Sequence, residues 1–357
     1  MPNFDENGLR KAAILLMSMP TKNAAQVLGQ LPPSYIEAVS IMIAQIDSVG
    51  GDDQEVVIAD FLTSKASSLY ASPGGLERAK ELIKEALTIS EYADVIIAAL
   101  GEGAESSGES ASKSNIDIPE AQKRLLKALV ATGKPVVLVL FNGRPLTLNW
   151  ENENVPAILD VWFAGSEAGD AIADALLGKV NPSGKLSMSF PQNVGQIPLY
   201  YNHKNTGRPL TGKWFSKFQS NYIDVSNEPL YPFGFGLSYT NFEYGAIQLS
   251  SKQLKGNQKL RVTIPVKNIG QYAGKEVVQL YIRDEVGSIT RPVQELKGFK
   301  KINLKPGEST QVAFTLTAAE LGFYTDKGVF VVEPGEYDIM VGTNSKEVLR
   351  ATVSTQR

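Results

Sequence analysis

The chain has no cysteine and a single histidine, His203, among its 357 residues. Without thiols there is no disulfide framework, no cysteine nucleophile and no thiolate metal site, and one imidazole cannot build a metal centre unaided. Any acid–base chemistry must rest on carboxylates, and neither a metal nor another cofactor is expected. Charge of one sign is also scarce: 35 Lys and Arg face 38 Asp and Glu, for a formal net charge of −3. With no basic cluster along the chain there is no electrostatic footprint for a phosphate backbone, so nucleic acid is not an expected partner. No apolar run approaches the roughly 20 residues that a membrane span needs. The stretch AAILLMSM at 12–19 follows Asp5 and Glu6 and precedes no small-residue cleavage site. It reads as a helix rather than a secretory signal, and a cytoplasmic start is expected.

What is present divides into three regions, a multidomain α+β arrangement. Over residues 1–87 apolar side chains recur at helical spacing, as in Leu9, Ala12, Ala13, Leu16 and Met17, then Tyr35, Ile36, Val39, Met42, Ile43 and Ile46. About five short helices are expected, with Thr21 and Ser34 as N-caps. Residues 88–240 carry short continuous apolar runs, VIIAAL at 95–100, VVLVLF at 136–141 and AILDVWF at 157–163, separated by helical stretches. That is the pattern of buried parallel strands with helices on the sheet. Residues 241–357 alternate apolar and polar positions, as in Val262, Ile264 and Val266, between Pro-Gly turns. A β-sandwich of roughly seven strands is expected there.

Ligands of open parallel sheets bind at the carboxyl ends of the strands, where loops converge. The loop after the first strand holds Glu102, Glu105 and Glu109; the second is followed by Asn142 and Arg144; the third runs into Trp162. Carboxylates beside an amide, a guanidinium and an indole suit a polyhydroxylated ligand, because sugars take bidentate polar partners and an aromatic plate. A carboxylic acid can protonate a glycosidic oxygen, and Glu109 or Glu105 could serve. The same loop, Gly101-Glu102-Gly103, superficially looks like a phosphate-binding turn, but it lacks a third glycine and a following Lys-Ser/Thr. His203, in an aromatic loop with Trp214, Phe215, Phe218 and Tyr222 behind it, reads as a structural hydrogen-bonder.

From about residue 89 onward the strings ADVIIAALGE, TGKPVVLVLFNGRPLTL, AILDVWFAGSEAGDAIADALLGKVNPSGKLSMSFP, IPLYYNHKNTGRP and LYPFGFGLSYTNF closely resemble the C-terminal part of family 3 glycoside hydrolases of the periplasmic β-glucosidase type. Beyond them VTIPVKNIG, VVQLYIRD and EPGEYDIMVGTNS resemble the fibronectin type III-like domain that closes such enzymes. The resemblance implies a retaining lineage acting on terminal β-linked glucosyl residues of a β-glucoside or oligosaccharide. It places the general acid/base in the Ser107-Gly108-Glu109 triplet, with Glu105 second, while the strand-end loops themselves offer Glu102, Asn142, Arg144 and Trp162 as sugar-binding residues. It also implies a nucleophile on a preceding (β/α)₈ barrel, which takes about 250 residues and is not found here. The opening strands of the α/β layer are not found either. The α/β sandwich is therefore expected to be incomplete and the chain inert alone.

The first 87 residues, through GLRKAAILLMSMPTKNAAQVLGQLPP and GGLERAKELIKEAL, instead resemble the N-terminal domain of the flagellar motor switch protein FliG. That resemblance implies a chimera with a flagellar membrane-ring tail as a partner. Two other functions fit the residues: an interaction protein whose helical domain holds a partner helix, and a carbohydrate-binding module using the strand-end loops.

Overall fold

A computed structural model describes residues 6–19, 21–28, 33–46, 56–57, 74–210, 216–255 and 258–356. It forms two compact units, Met1–Thr88 and Ile89–Arg357.

In the first unit, helices α1 (Glu6–Met17), α2 (Thr21–Leu28), α3 (Pro33–Gln45) and α4 (Gly74–Ser90) follow the 3.6-residue periodicity. Ala13, Leu16 and Val39 form the buried centre of α1 to α3, with Leu9, Ala24, Leu28, Met42 and Ile46 packed around them. Thr21 and Ser34 are not N-caps: α2 starts at Thr21 itself and α3 one residue before Ser34, at Pro33. Proline suits a first helical turn, where its fixed φ fits and its missing N–H has no partner to lose.

The second unit opens with strands β1 (Ile96–Gly101), β2 (Val136–Phe141) and β3 (Ala157–Asp160), paired in parallel in the order β1-β2-β3. Ile96 lies opposite Val136, and Val137 opposite Ala157. Between the strands run α5 (Glu120–Val130) and α6 (Asn149–Asn154), and α7 (Ala168–Leu176) follows. Leu126 and Leu129 of α5 are buried, as are Ala98, Leu100, Leu138 and Leu140 of the sheet. Each such Leu contributes about 1.5–3 kcal/mol by leaving water. The β1 edge differs, since Val95 and Ile97 are more than half exposed. Parallel sheets are normally covered on both faces, and in this layer Ile97 of β1 stays exposed.

The β-sandwich follows. One sheet has β10 (Ser309–Leu316), β7 (Leu260–Asn268) and β4 (Phe242–Tyr244) in that order, with β5 (Gln248–Leu249) also on β7. The other runs β6 (Gln253–Lys255), β14 (Val348–Gln356), β13 (Gly335–Gly342), β8 (Gly274–Asp284), β9 (Glu295–Leu304), and β11 (Phe323–Tyr324) pairs with β12 (Phe330–Val331) apart from both. Leu260, Val262, Ile264 and Val266 bury one side chain in two, as their alternation demands, against Val278, Leu280, Ile339 and Val353. Strand β8 departs from alternation, with Gln279 and Tyr281 buried as well. Its outer face is roofed by the connector from the α/β layer. Tyr201 meets Tyr281 edge-on at 5.8 Å and stacks on Phe233 at 4.2 Å, while Gln279 donates to the carbonyls of Gly234 and Thr343. A second ring series, Trp162, Phe190, Tyr231 and Phe235, runs through the α/β side of the connector with centroids 5.2–6.0 Å apart. Gly234 sits at φ +82, and a Cβ there would collide with Gln279. The turn that carries both aromatic pairs thus requires glycine.

Candidate active site

The three loops do leave the sheet on one edge. Gly143 of the β2 loop is hemmed in by the Phe163 ring of the β3 loop and the Ser107 hydroxyl of the β1 loop. At the end of β1, Gly101 takes φ +143, where a Cβ would overlap the Phe141 carbonyl. Its N–H donates to Gln122 of α5 at 2.7 Å.

The next residue, Glu102, turns inward with its side chain fully buried. Lys113 Nζ lies 2.8 Å from Oε1, while Arg144 Nε at 3.2 Å and the Gly143 N–H at 3.3 Å donate to Oε2. Burial alone would push this carboxyl up; the Lys113 and Gly143 hydrogen bonds and the two cations outweigh it and hold it below its ordinary range. Arg144 also donates through Nη2 to the Ser106 carbonyl. The sequence placed Glu102 among sugar-binding carboxylates. In the structure its carboxylate ties the loop to Lys113 and Arg144, as a buried carboxylate needs partners inside the protein.

Asn142 is likewise fully buried, its Nδ2 donating to the Arg144 carbonyl at 2.9 Å and its Oδ1 without a partner. Arg144 and Trp162 are half-buried, and Glu105 and Glu109 are exposed. Glu105 lies in a single helical turn, Ala104–Ser106. Glu109 makes no hydrogen bond or ion pair among the described residues, and Ser110 after it is left-handed at φ +60. His203 is exposed, with Nδ1 3.1 Å from the Lys204 carbonyl. Of the aromatics behind it, Trp214 and Phe215 fall outside the described residues.

Sequence reasoning missed Asp160 and Lys113. Asp160 is the last residue of β3, which stops there rather than running on to Phe163. Its Oδ1 accepts a long bond from the Trp162 N–H at 3.4 Å, and Oδ2 is buried without a partner. Burial raises its carboxyl to about 6, opposed only in part by the Trp162 N–H and the Asn142 amide. An acid at the carboxyl end of a strand run was a visible signal; reading the strand through to Phe163 hid it. Trp162 takes φ +50, left-handed and costly for a large side chain. Among the described residues no group of three His, Cys, Asp or Glu could hold a metal ion.

The Asp160 carboxyl keeps its proton to about pH 6 in the folded chain. In the unfolded chain it ionises near the ordinary value of about 3.9. Stability should therefore fall as pH rises from about 4 to about 6 and level off above that. Asp160→Asn is expected to flatten this slope, and the ¹³C titration of the wild-type carboxyl should centre on about 6. A slope that survives the substitution would assign it to another group.

A sheet edge carrying acids, an amide, a guanidinium and an indole is chemistry suited to a polyhydroxylated ligand, and a β-sandwich follows it. The family model for the glycosyl hydrolase family 3 C-terminal domain matches residues 10–239, and that for the fibronectin type III-like domain matches 276–345. The chain belongs to glycosyl hydrolase family 3. It is 40% identical over 354 residues to a periplasmic beta-glucosidase of Salmonella typhimurium, covering 95% of this chain and 46% of that one. It is 42% identical over 275 residues to a beta-xylosidase of Formosa agariphila, covering 77% and 37%. Among solved structures, a beta-glucosidase from Listeria innocua in complex with gluconolactone matches with a TM-score of 0.74 and 46% identity, over 77% of this chain and 38% of that one. The chain thus spans less than half the length of these relatives.

These matches leave the flagellar resemblance without support. The family 3 match starts at residue 10 and the Salmonella alignment covers 95% of the chain, so both run through the helical segment. Amphipathic helices with short turns are common to unrelated folds, so that pattern alone does not assign a family. No helix among the described residues is long and apolar enough to cross a membrane.

Proposed function

We propose that this chain supplies the acid/base side of a β-glucosidase-type active site, with Glu109 as the general acid/base and Glu105 as the alternative. One observation carries the assignment. The loop is fastened at Ser106 through Arg144 and at Lys113 through Glu102, while Glu109, between the two fastenings, is exposed and unengaged. A group that must meet a substrate is held this way: its backbone is positioned and its carboxyl is left for the ligand.

In the reaction, Glu109 gives its proton to the glycosidic oxygen as the C1–O bond breaks, and later takes a proton from the water that releases the sugar. Retention needs a second carboxylate, about 5–5.5 Å away across the sugar, to form and then lose a bond to C1. The family resemblance assigns that nucleophile to a barrel domain. The substrate is a terminal β-linked pyranoside, its ring against Trp162 and its hydroxyls near Arg144. On this reading the chain alone binds such sugars weakly and does not hydrolyse them. Purified protein should leave aryl β-glucosides uncleaved above the buffer rate. Turnover abolished by Glu109→Gln would overturn the need for a second domain, and sugar binding with no role for Glu109 would recast the chain as a binding module.

A further inference from the structure

We infer that the α/β layer carries a second saccharide site, in a groove between the loop leading into α5, the start of α6 and the 192–194 turn. The cavity measures about 360 Å³, within the range of small-ligand sites. It shares no side chain with the strand-edge site.

Its polar lining is half-used in a regular way. Asn115 spends its Oδ1 on the Asp117 N–H at 2.9 Å, and Asn193 spends its Oδ1 on the Gly195 N–H at 2.8 Å. The Nδ2 donors of both have no partner among the described residues. Conversely, Asn149 Nδ2 donates to the Gln192 carbonyl at 2.5 Å and Gln192 Nε2 to the Glu228 carbonyl at 2.8 Å, leaving Oδ1 and Oε1 as acceptors with no donor among the described residues. Two free amino groups and two free carbonyl oxygens around one cavity match a ligand whose groups both donate and accept, as hydroxyls do. The same lining includes the half-buried Trp150 indole, with Lys127 Nζ 5.3 Å from the ring centroid. An indole adds the flat apolar surface that the C–H face of a pyranose needs.

Charge narrows the ligand further. Lys123 stands 3.8 Å from Asp117 and 3.7 Å from the fully buried Glu151, and Thr147 donates its hydroxyl to Asp117. An anion approaching Lys123 meets two carboxylates, and a cation approaching Asp117 meets the ammonium. A neutral polyhydroxylated ligand meets neither penalty, so the geometry selects an uncharged sugar over a phosphate or a metal ion.

The test is a titration of ¹⁵N-labelled full-length chain with methyl β-D-glucopyranoside. The side-chain amino groups of Asn115 and Asn193 and the Trp150 indole N–H should shift along one saturable curve in the millimolar range, and Trp150→Ala should weaken it about tenfold or more. The Trp162 indole and the Gly143 amide report the strand-edge site separately, so failure there leaves this site standing, and the reverse. Sodium sulfate and calcium chloride should leave the groove signals in place. Three results overturn the proposal: no saturable shift of the two amino groups in the wild type, an unchanged curve in a Trp150→Ala protein that melts like the wild type, or shifts produced by sulfate or calcium rather than sugar.

Discussion

Glu102→Ala is expected to set residues 103–112 free and to cost about 3–5 kcal/mol, the usual toll for removing one partner of a buried ion pair. The carboxylate binds Lys113, Arg144 and the Gly143 N–H at once, and Arg144 in turn holds Ser106. Its loss therefore leaves two cations and an amide unpaired together. Amide exchange in the loop should quicken well beyond the global change, and the melting temperature should drop. Glu102→Gln keeps the shape and can accept from one donor, so it should fall between wild type and alanine. Since the folded carboxyl is held below its ordinary range, its contribution is complete above the unfolded value, about 4.3, and fades as pH falls through the folded one. Unaltered loop exchange and melting in Glu102→Ala would show that the fastening lies elsewhere.

The paired change Phe233→Ala and Phe235→Ala should open the seam between the α/β layer and the sandwich without unfolding the sandwich. Phe233 stacks on Tyr201, and Phe235 on Tyr231. Full truncation of a buried Phe costs about 3–5 kcal/mol; these rings are only half-buried, so the low end, about 3 kcal/mol or less each, is expected. The sandwich core of Leu260, Val262, Ile264, Leu280 and Ile339 includes neither ring. Limited proteolysis should therefore release an intact C-terminal fragment from the variant. A digestion pattern matching wild type would mean that the Gln279 hydrogen bond to the Gly234 carbonyl holds the seam without the aromatics.

The strands of the α/β layer were legible because each is a run of β-branched and aliphatic residues bounded by turn formers, and the convergence of their loops followed from parallel pairing alone. The sandwich was legible at β7, where alternation and burial agree position by position. It was not at β8, because alternation assumes one wet face and the connector covers that face through contacts far apart in sequence. Glu102 shows the same limit within the site. Its residue type and loop suit a sugar ligand, and nothing in the local sequence announces its pairing with Lys113, 11 residues away, and Arg144, 42 away. Asp160 was overlooked because strand composition continues past it, whereas the strand itself ends where the chain turns left-handed at Trp162.

That turn also limits how position 162 can drift. A left-handed backbone costs a side chain bearing a Cβ about 1–2 kcal/mol, a penalty glycine avoids and asparagine or aspartate soften. The ring series through Phe190 to Tyr231 asks for an aromatic at the same place. Two filters of different origin therefore act on one codon, one favouring small residues and the other large flat ones. Tryptophan satisfies only the second, so replacements that relax the backbone should strip the sheet edge of its only indole among the described residues.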